Sequence, residues 1–170
     1  YYGGALYLSV NSNPSIVNSI LWNNMAQQGG SQIFLSNANP NINYCNVQGG
    51  KSGIGTDDIN AYSGDYSSNI NIDPQFVNPM FLDFHLKENS FCINTGYTNI
   101  SGLDDYQDMD GNDRIYGGIV DMGAYEAQYD IDDIYVHGEI YSPAVWCADT
   151  VKIIAPVKIK AGVTISICPG

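Results

Sequence analysis

Apolar and polar positions alternate in short bursts through the first fifty residues, and no burst is long enough for a helix. "NPSIVNSILWNN" begins at Asn13 and "NPNINYCNVQGG" at Asn39, an offset of 26 residues. Each stretch is short, β-branched and rich in Asn, which reads as strand rather than helix. Between them lie "QQGG", with turn chemistry, and "SQIFLS", a strand. Several short strands in a fixed period suggest one coil of a right-handed parallel β-helix, each strand pairing with its equivalent in the next coil. Ser15–Leu21 and Asn41–Val47 are then parallel neighbours, with Asn18 at a bend where Asn tolerates left-handed backbone. The second copy carries Tyr44 at that place. The competing architecture is an antiparallel sandwich.

A second pattern fills the end, "TVKIIAPVKIKAGVTISICPG". Val151, Val157 and Val163 are six residues apart, as are Ile153, Ile159 and Ile165. Lys152, Lys158 and Thr164 point the other way. Alternation locked to a six-residue repeat predicts three short strands separated by tight corners, about one triangular coil. A plain meander of three strands is the alternative.

Charge is distributed unevenly. Residues 1–50 hold no Asp, Glu, Lys, Arg or His, all 18 acidic residues lie from Asp57 onward, and every Asn lies at or before Asn112. This change places a boundary near Glu126, with units at 1–126 and 127–170. The net charge of −12 argues against nucleic acid or an anionic membrane as partner. No apolar run is long enough to span a bilayer as a helix. The chain begins without Met and stops in mid-pattern, so we read it as a piece of a longer protein. The four cysteines show no C-x-x-C spacing and no neighbouring His, which does not fit a zinc site.

"DMDGNDRIYGGIVDMGAYE", residues 108–126, concentrates the chemistry. Asp108, Asp110 and Asn112 match the first ligands of a calcium loop. An EF-hand also needs Gly at its sixth position and Glu at its twelfth, which here are Asp113 and Ile119. A different Ca²⁺ cage is one reading of these three residues. The other is a structural clasp, in which Arg114, the only arginine, is buried against Asp121 and Glu126 in bidentate geometry. We favour the clasp, and with it no cofactor.

"YCNVQGG", "NINIDPQFVNP", "DFHLKENSFCINTG" and the 108–126 motif follow one another in this order. Residues 11–126 thereby resemble the C-terminal end of secreted bacterial right-handed parallel β-helix proteins that carry a choice-of-anchor Q domain. The tail 134–170 is similar to the opening of a second β-helix-type region in large surface proteins of Bacteroidetes-like bacteria. The resemblance implies an extracellular or cell-surface protein of stacked coils and implies no activity, since β-helices carry lyases and hydrolases as well as adhesins. Asn94 departs from the family, which often has Asp in "CIDAG", and this weakens cation binding in that loop. In a secreted setting, oxidised cysteines would pair within units, Cys45 with Cys92 and Cys147 with Cys168.

Candidate chemistry is otherwise sparse. Glycoside hydrolysis needs two placed carboxylates, and a lyase needs a base beside a cation. The strands at 15–21 and 41–47 offer only Tyr44 and Cys45 as ionisable groups. His85 sits in the alternating stretch "DFHLKE", where a lone His is more often structural than catalytic. Trp22, Tyr44, Tyr62 and Tyr66 could stack on sugar rings, although strands and turns favour aromatics in any case. The expected protein is all-β: the last coils of a parallel β-helix followed by a short second β-rich unit. Its expected role is structural or adhesive at a bacterial surface, with an extracellular polysaccharide or another surface protein as partner. The alternatives are a polysaccharide-active enzyme whose catalytic coils lie elsewhere, and a carbohydrate-binding module.

Overall fold

Strands of two to four residues carry the first part of the chain. The computed structural model describes residues 1–57, 62–116, 118–128, 133–140, 144–146 and 150–167, in two units, Tyr1–Ala127 and Gln128–Gly170. The helical segments described are single 3₁₀ turns at Gly50–Gly53, Pro79–Phe81 and Leu103–Asp105. Among the described residues the structure is therefore β, with almost no helix.

In the first unit the chain makes three similar passes. The first contributes β1 (Leu6–Ser9), β2 (Ser15–Val17) and β3 (Ile20–Leu21). The second contributes β4 (Ile33–Ser36), β5 (Asn41–Asn43) and β6 (Asn46–Val47). The third contributes β7 (Ile54–Thr56), β8 (Tyr66–Ser67) and a single bridge at Ile70. All pairing between passes is parallel: β1-β4-β7, β2-β5-β8, and β3-β6 extended by Ile70. Ser15 faces Asn41 and Leu21 faces Val47, the register that the 26-residue offset predicts. The antiparallel pairing of a sandwich does not occur between these strands.

Asparagine explains how such short strands hold. Asn18, Tyr44 and Ser68 occupy one bend in successive passes with φ of 50°, 53° and 56°. Asn11 and Asn37 do the same at another bend, with φ of 61° and 52°. Left-handed backbone is accessible to Asn and costly for Tyr44. Asn side chains also act as rungs between passes. Asn13 accepts the Asn39 N–H, Asn39 accepts the Ser63 N–H (3.1 Å), and Asn43 accepts the Ser67 N–H (3.0 Å). Each rung satisfies a backbone donor that a two- or three-residue strand leaves unpaired.

The core lies inside the passes. Ile33, Leu35, Ile42, Cys45 and Val47 of the second pass are essentially inaccessible, with Leu21 beside them. Leu6, Leu8, Ile16 and Ile54 from the flanking passes pack against them and are half-buried. Burying each such aliphatic side chain contributes about 1.5–3 kcal/mol. Phe34 points away from this core yet is buried, because the Tyr2 and Tyr7 rings cover it at centroid distances of 4.2 and 5.7 Å.

After the third pass, β9 (Phe76–Asn78) and β10 (Asp83–Leu86) form an antiparallel hairpin, braced by the Phe76 and Phe84 rings 5.2 Å apart. A closing segment, residues 90–127, then packs back on the passes. Gly123 donates its N–H to Asn18 O (2.9 Å), and the Asn18 side chain both donates to Tyr97 O (3.0 Å) and accepts the Tyr97 N–H (2.6 Å).

The second unit has β11 (Asp133–Ile140), β12 (Ala144–Trp146), β13 (Thr150–Ile159) and β14 (Ile165–Ile167). β11 pairs with β13 and β12 with β14, both in parallel. Here the structure corrects the six-residue pattern. Its first two repeats run together in one ten-residue strand rather than turning a corner. The expected corner survives as a register shift: Val136 pairs with Ile153 and Gly138 with Val157, so β13 uses four residues where β11 uses two.

The cysteine expectation also changes. Cys45 and Cys92 are both buried free thiols. Cys45 Sγ donates to Asn43 O (3.2 Å), while Cys92 Sγ accepts from Asn46 Nδ2 (3.2 Å), so each sulfur already has its own partner. Cys147 and Cys168 lie outside the described residues.

Candidate functional site

The 108–126 motif lies in the closing segment, whose described residues form no strand of their own. Its backbone donors therefore need acceptors other than a sheet. Three buried carboxylates supply them. Asp108 Oδ1 accepts the N–H groups of Asp110 (2.9 Å) and Asn112 (2.8 Å). Its Oδ2 accepts the Glu126 N–H (2.9 Å) and Asn112 Nδ2 (3.3 Å). Asp121 Oδ1 accepts the Asn94 N–H (2.7 Å), and Oδ2 the Ala127 N–H (2.8 Å). Glu126 accepts the N–H groups of Tyr116 (3.2 Å) and Asp121 (3.1 Å). Asn94 belongs to the same network. With its amide oriented by its neighbours, its nitrogen donates to Ile119 O (2.6 Å) and Tyr116 O (3.1 Å), which the carboxylate of an Asp could not do.

Arg114 is nearly buried, at 11% side-chain exposure. Its contacts differ from the bidentate clasp expected. Nη2 donates to the backbone carbonyl of Asp121 (3.3 Å), and Nη1 lies 3.8 Å from Glu126 Oε2. The Asp121 carboxylate is turned to backbone amides instead. Unpaired buried amides cost about as much as a lost hydrogen bond, and a two-oxygen acceptor satisfies two at once. The guanidinium is thus a neighbouring cation in a network fastened mainly by carboxylate-to-amide bonds.

The protonation equilibria follow from this packing. Burial pushes Asp121 up to about 6, against the lowering effect of the Ala127 and Asn94 N–H bonds and of Arg114. Burial, with the Asp121 charge added, pushes Glu126 up to about 7. For Asp108, burial also acts upward, but the N–H bonds from Glu126, Asn112 and Asp110 outweigh it and leave the carboxyl below its ordinary value.

The calcium reading fares poorly in this geometry. The Asp108 oxygens face four N–H donors, so their lone pairs point at protons rather than at a shared centre. Asp110 is turned away, toward His85. Among the described residues, no group of three or more His, Cys, Asp or Glu is arranged to hold a metal. We therefore do not assign Asp108, Asp110 and Asn112 as cation ligands.

His85, which the sequence marks as a structural rather than a catalytic strand residue, has a defined place in this network. It projects from β10 with Nδ1 2.6 Å from Asp83 Oδ1 and Nε2 2.6 Å from Asp110 Oδ2. Its ring lies against Tyr125, centroids 4.1 Å apart. Hydrogen bonds to Asp110 and then Asp83 raise its pKa, and the bond to His85 lowers that of Asp83. The spacing of Asp83 and His85, two apart in a strand, was the available signal, since such residues share one face. Nothing in the sequence pointed to Asp110 as their partner.

The four aromatic candidates do not form one platform. Trp22 is half-buried after β3. Tyr44 pairs with Tyr97, ring centroids 5.0 Å apart. Tyr62 and Tyr66 do come together, edge to face at 6.4 Å, with the Lys51 ammonium 5.7 and 5.5 Å from their rings. The Tyr62 hydroxyl is committed to Pro40 O and Asp65 O (both 2.9 Å), and Tyr66 packs against the core.

No helix among the described residues is long and apolar enough to cross a membrane. Comparison with known proteins finds no family model, no curated protein and no solved structure that matches this chain.

Proposed function

We propose that this chain is a non-enzymatic structural or adhesive module of a secreted or cell-surface bacterial protein, formed by the closing coils of a right-handed parallel β-helix. The three parallel ladders support the coil reading, because each pass adds one strand to each ladder in the same order. Parallel crossovers are right-handed in nearly all proteins, which supplies the hand.

One observation carries the non-enzymatic reading: the buried carboxylates fasten backbone amides. An acid or base must have a lone pair or proton free toward a substrate. Those of Asp108, Asp121 and Glu126 accept N–H groups from positions 94 to 127, so they hold chain to chain. Burial pushes both Cys45 and Cys92 up to about 11 and leaves little thiolate to oxidise, so the free thiols are compatible with an exterior setting without pointing to one.

The test is incubation of the chain with neutral and acidic polysaccharides, reading new reducing ends and the absorbance of unsaturated uronates. We expect no release above buffer. Turnover that disappears in Glu126→Gln or Asp121→Asn, with the fold intact by circular dichroism, would overturn the reading in favour of a polysaccharide-active enzyme.

A further inference from the structure

We propose that His85 is a proton-operated fastener that ties the closing segment to the β9–β10 hairpin and lets go of Asp110 when the imidazole loses its proton. Both ring nitrogens face carboxylate oxygens, Asp83 Oδ1 and Asp110 Oδ2, each at 2.6 Å. Carboxylates at these distances accept and do not donate, so both contacts need an N–H on the ring side. Only the imidazolium has two.

Neutral imidazole has one N–H for two acceptors. Asp83 keeps it. It lies two residues away on the same strand, and its Oδ1 also accepts the His85 backbone N–H (3.2 Å). Asp110 stands 25 residues further along and is then left facing a ring lone pair. Two electron-rich atoms at that spacing repel, so this contact opens. The Asp110 N–H stays on Asp108 Oδ1, which confines the release to the Asp110 side chain and the adjacent Gly111 turn.

The groups around the ring are few. From its own strand it meets Asp83, and from the closing segment it meets Asp110 and the Tyr125 ring. Hydrogen bonds to Asp110 and Asp83 raise the His85 pKa and outweigh the opposing desolvation. The fastener is therefore closed below the ordinary imidazole value of about 6.5 and opens as pH rises through the higher value of the folded state. The ring and both carboxylates are 37–47% exposed, so salt weakens the fastener and moves its opening to lower pH.

The experiment is an NMR titration of the His85 ring, assigned with His85→Gln, together with amide exchange of Gly111 and Asn112 corrected for base catalysis. In the native chain we expect a midpoint above about 6.5 and exchange that quickens several-fold as the ring deprotonates. Asp110→Asn should lower the midpoint and remove the pH response of the two amides. His85→Gln carries both of its N–H donors on one nitrogen and has no titrating group, so it cannot bridge the two carboxylates as the imidazolium does and its exchange should match the deprotonated native chain at every pH. An ordinary midpoint, or the same pH response in Asp110→Asn as in the native chain, would overturn the proposal. So would a shift of the midpoint on adding Ca²⁺ or chelator, because Asp110 would then be serving a cation.

Discussion

The backbone N–H of Asn94 lies 2.7 Å from Oδ1 of Asp121, 27 residues later in the chain. The other oxygen of Asp121 holds the N–H of Ala127 (2.8 Å), so one buried side chain joins both ends of the closing segment. Removing it should be costly. We expect Asp121→Ala to destabilise the Tyr1–Ala127 unit by about 2–4 kcal/mol, as two half-buried amides lose their acceptor. Asp121→Asn keeps one oxygen and should lose about half of that. Denaturant unfolding reads both, and a change within experimental error for Asp121→Ala would contradict the network described.

Arg114 should matter less than its burial suggests. It makes one bond to a carbonyl and stands 3.8 Å from Glu126. Arg114→Met keeps the stem and loses the charge, and we expect a loss of about 1–2 kcal/mol. A loss larger than that of Asp121→Ala would mean that the ion pair, not the amide bonds, holds the segment.

Acidity should stabilise the first unit. Asp121 is raised from 3.8 to about 6 and Glu126 from 4.5 to about 7, so the folded state binds protons more readily than the unfolded chain between those values. Stability then falls as pH rises from the ordinary carboxylate range to neutrality. His85, also raised, adds to the same trend, its contribution being lost as pH passes its folded-state value. Asp83 and Asp108 are lowered, and their contributions disappear only in stronger acid. The melting temperature should therefore be higher near pH 5 than near pH 8 and should drop again below about pH 3.5. A flat profile across neutrality would show that the buried acids are not shifted as described.

Leu82 holds left-handed backbone at φ 64° and is 75% exposed. It gives up little burial for a costly conformation. Leu82→Gly should relieve that strain and stabilise the hairpin by about 0.5–1 kcal/mol. A lower melting temperature in the variant would reveal a packing role that its exposure conceals.

Much of the architecture was legible where the chain repeats itself. Asn13 and Asn39 open two similar stretches, and their offset predicted the register of β2 with β5 and of β3 with β6. The third pass was not legible, because Tyr66 and Ser67 share no motif with Ile42 and Asn43, which they face. Its likeness lies in backbone, such as the bend at Ser68, which several residue types can adopt. In the tail, the apolar periodicity survived but the first corner remained only as a register shift within one strand, since period-2 alternation fits one long strand as well as two short ones. The closing motif showed which residues are buried together but not how they bond. Charge complementarity suggested Arg114 to carboxylate, whereas the unsatisfied donors of a strandless segment decided the geometry. The tie from His85 to Asp110 spans 25 residues and left no local trace.

The passes of the first unit differ in length. The first and second are offset by 27 residues at β1–β4 but 26 at β2–β5, and the second and third by 21 at β4–β7 but 24 at β5–β8. The ladders stay aligned through these changes, so alignment is set rung by rung and not by counting residues between bends. The connecting turns are consequently free to lengthen, shorten or change character while the wall behind them stands still. Such a wall can present many different outer surfaces without being rebuilt, and the turns between its ladders are where grafted segments would be carried at least cost to the fold.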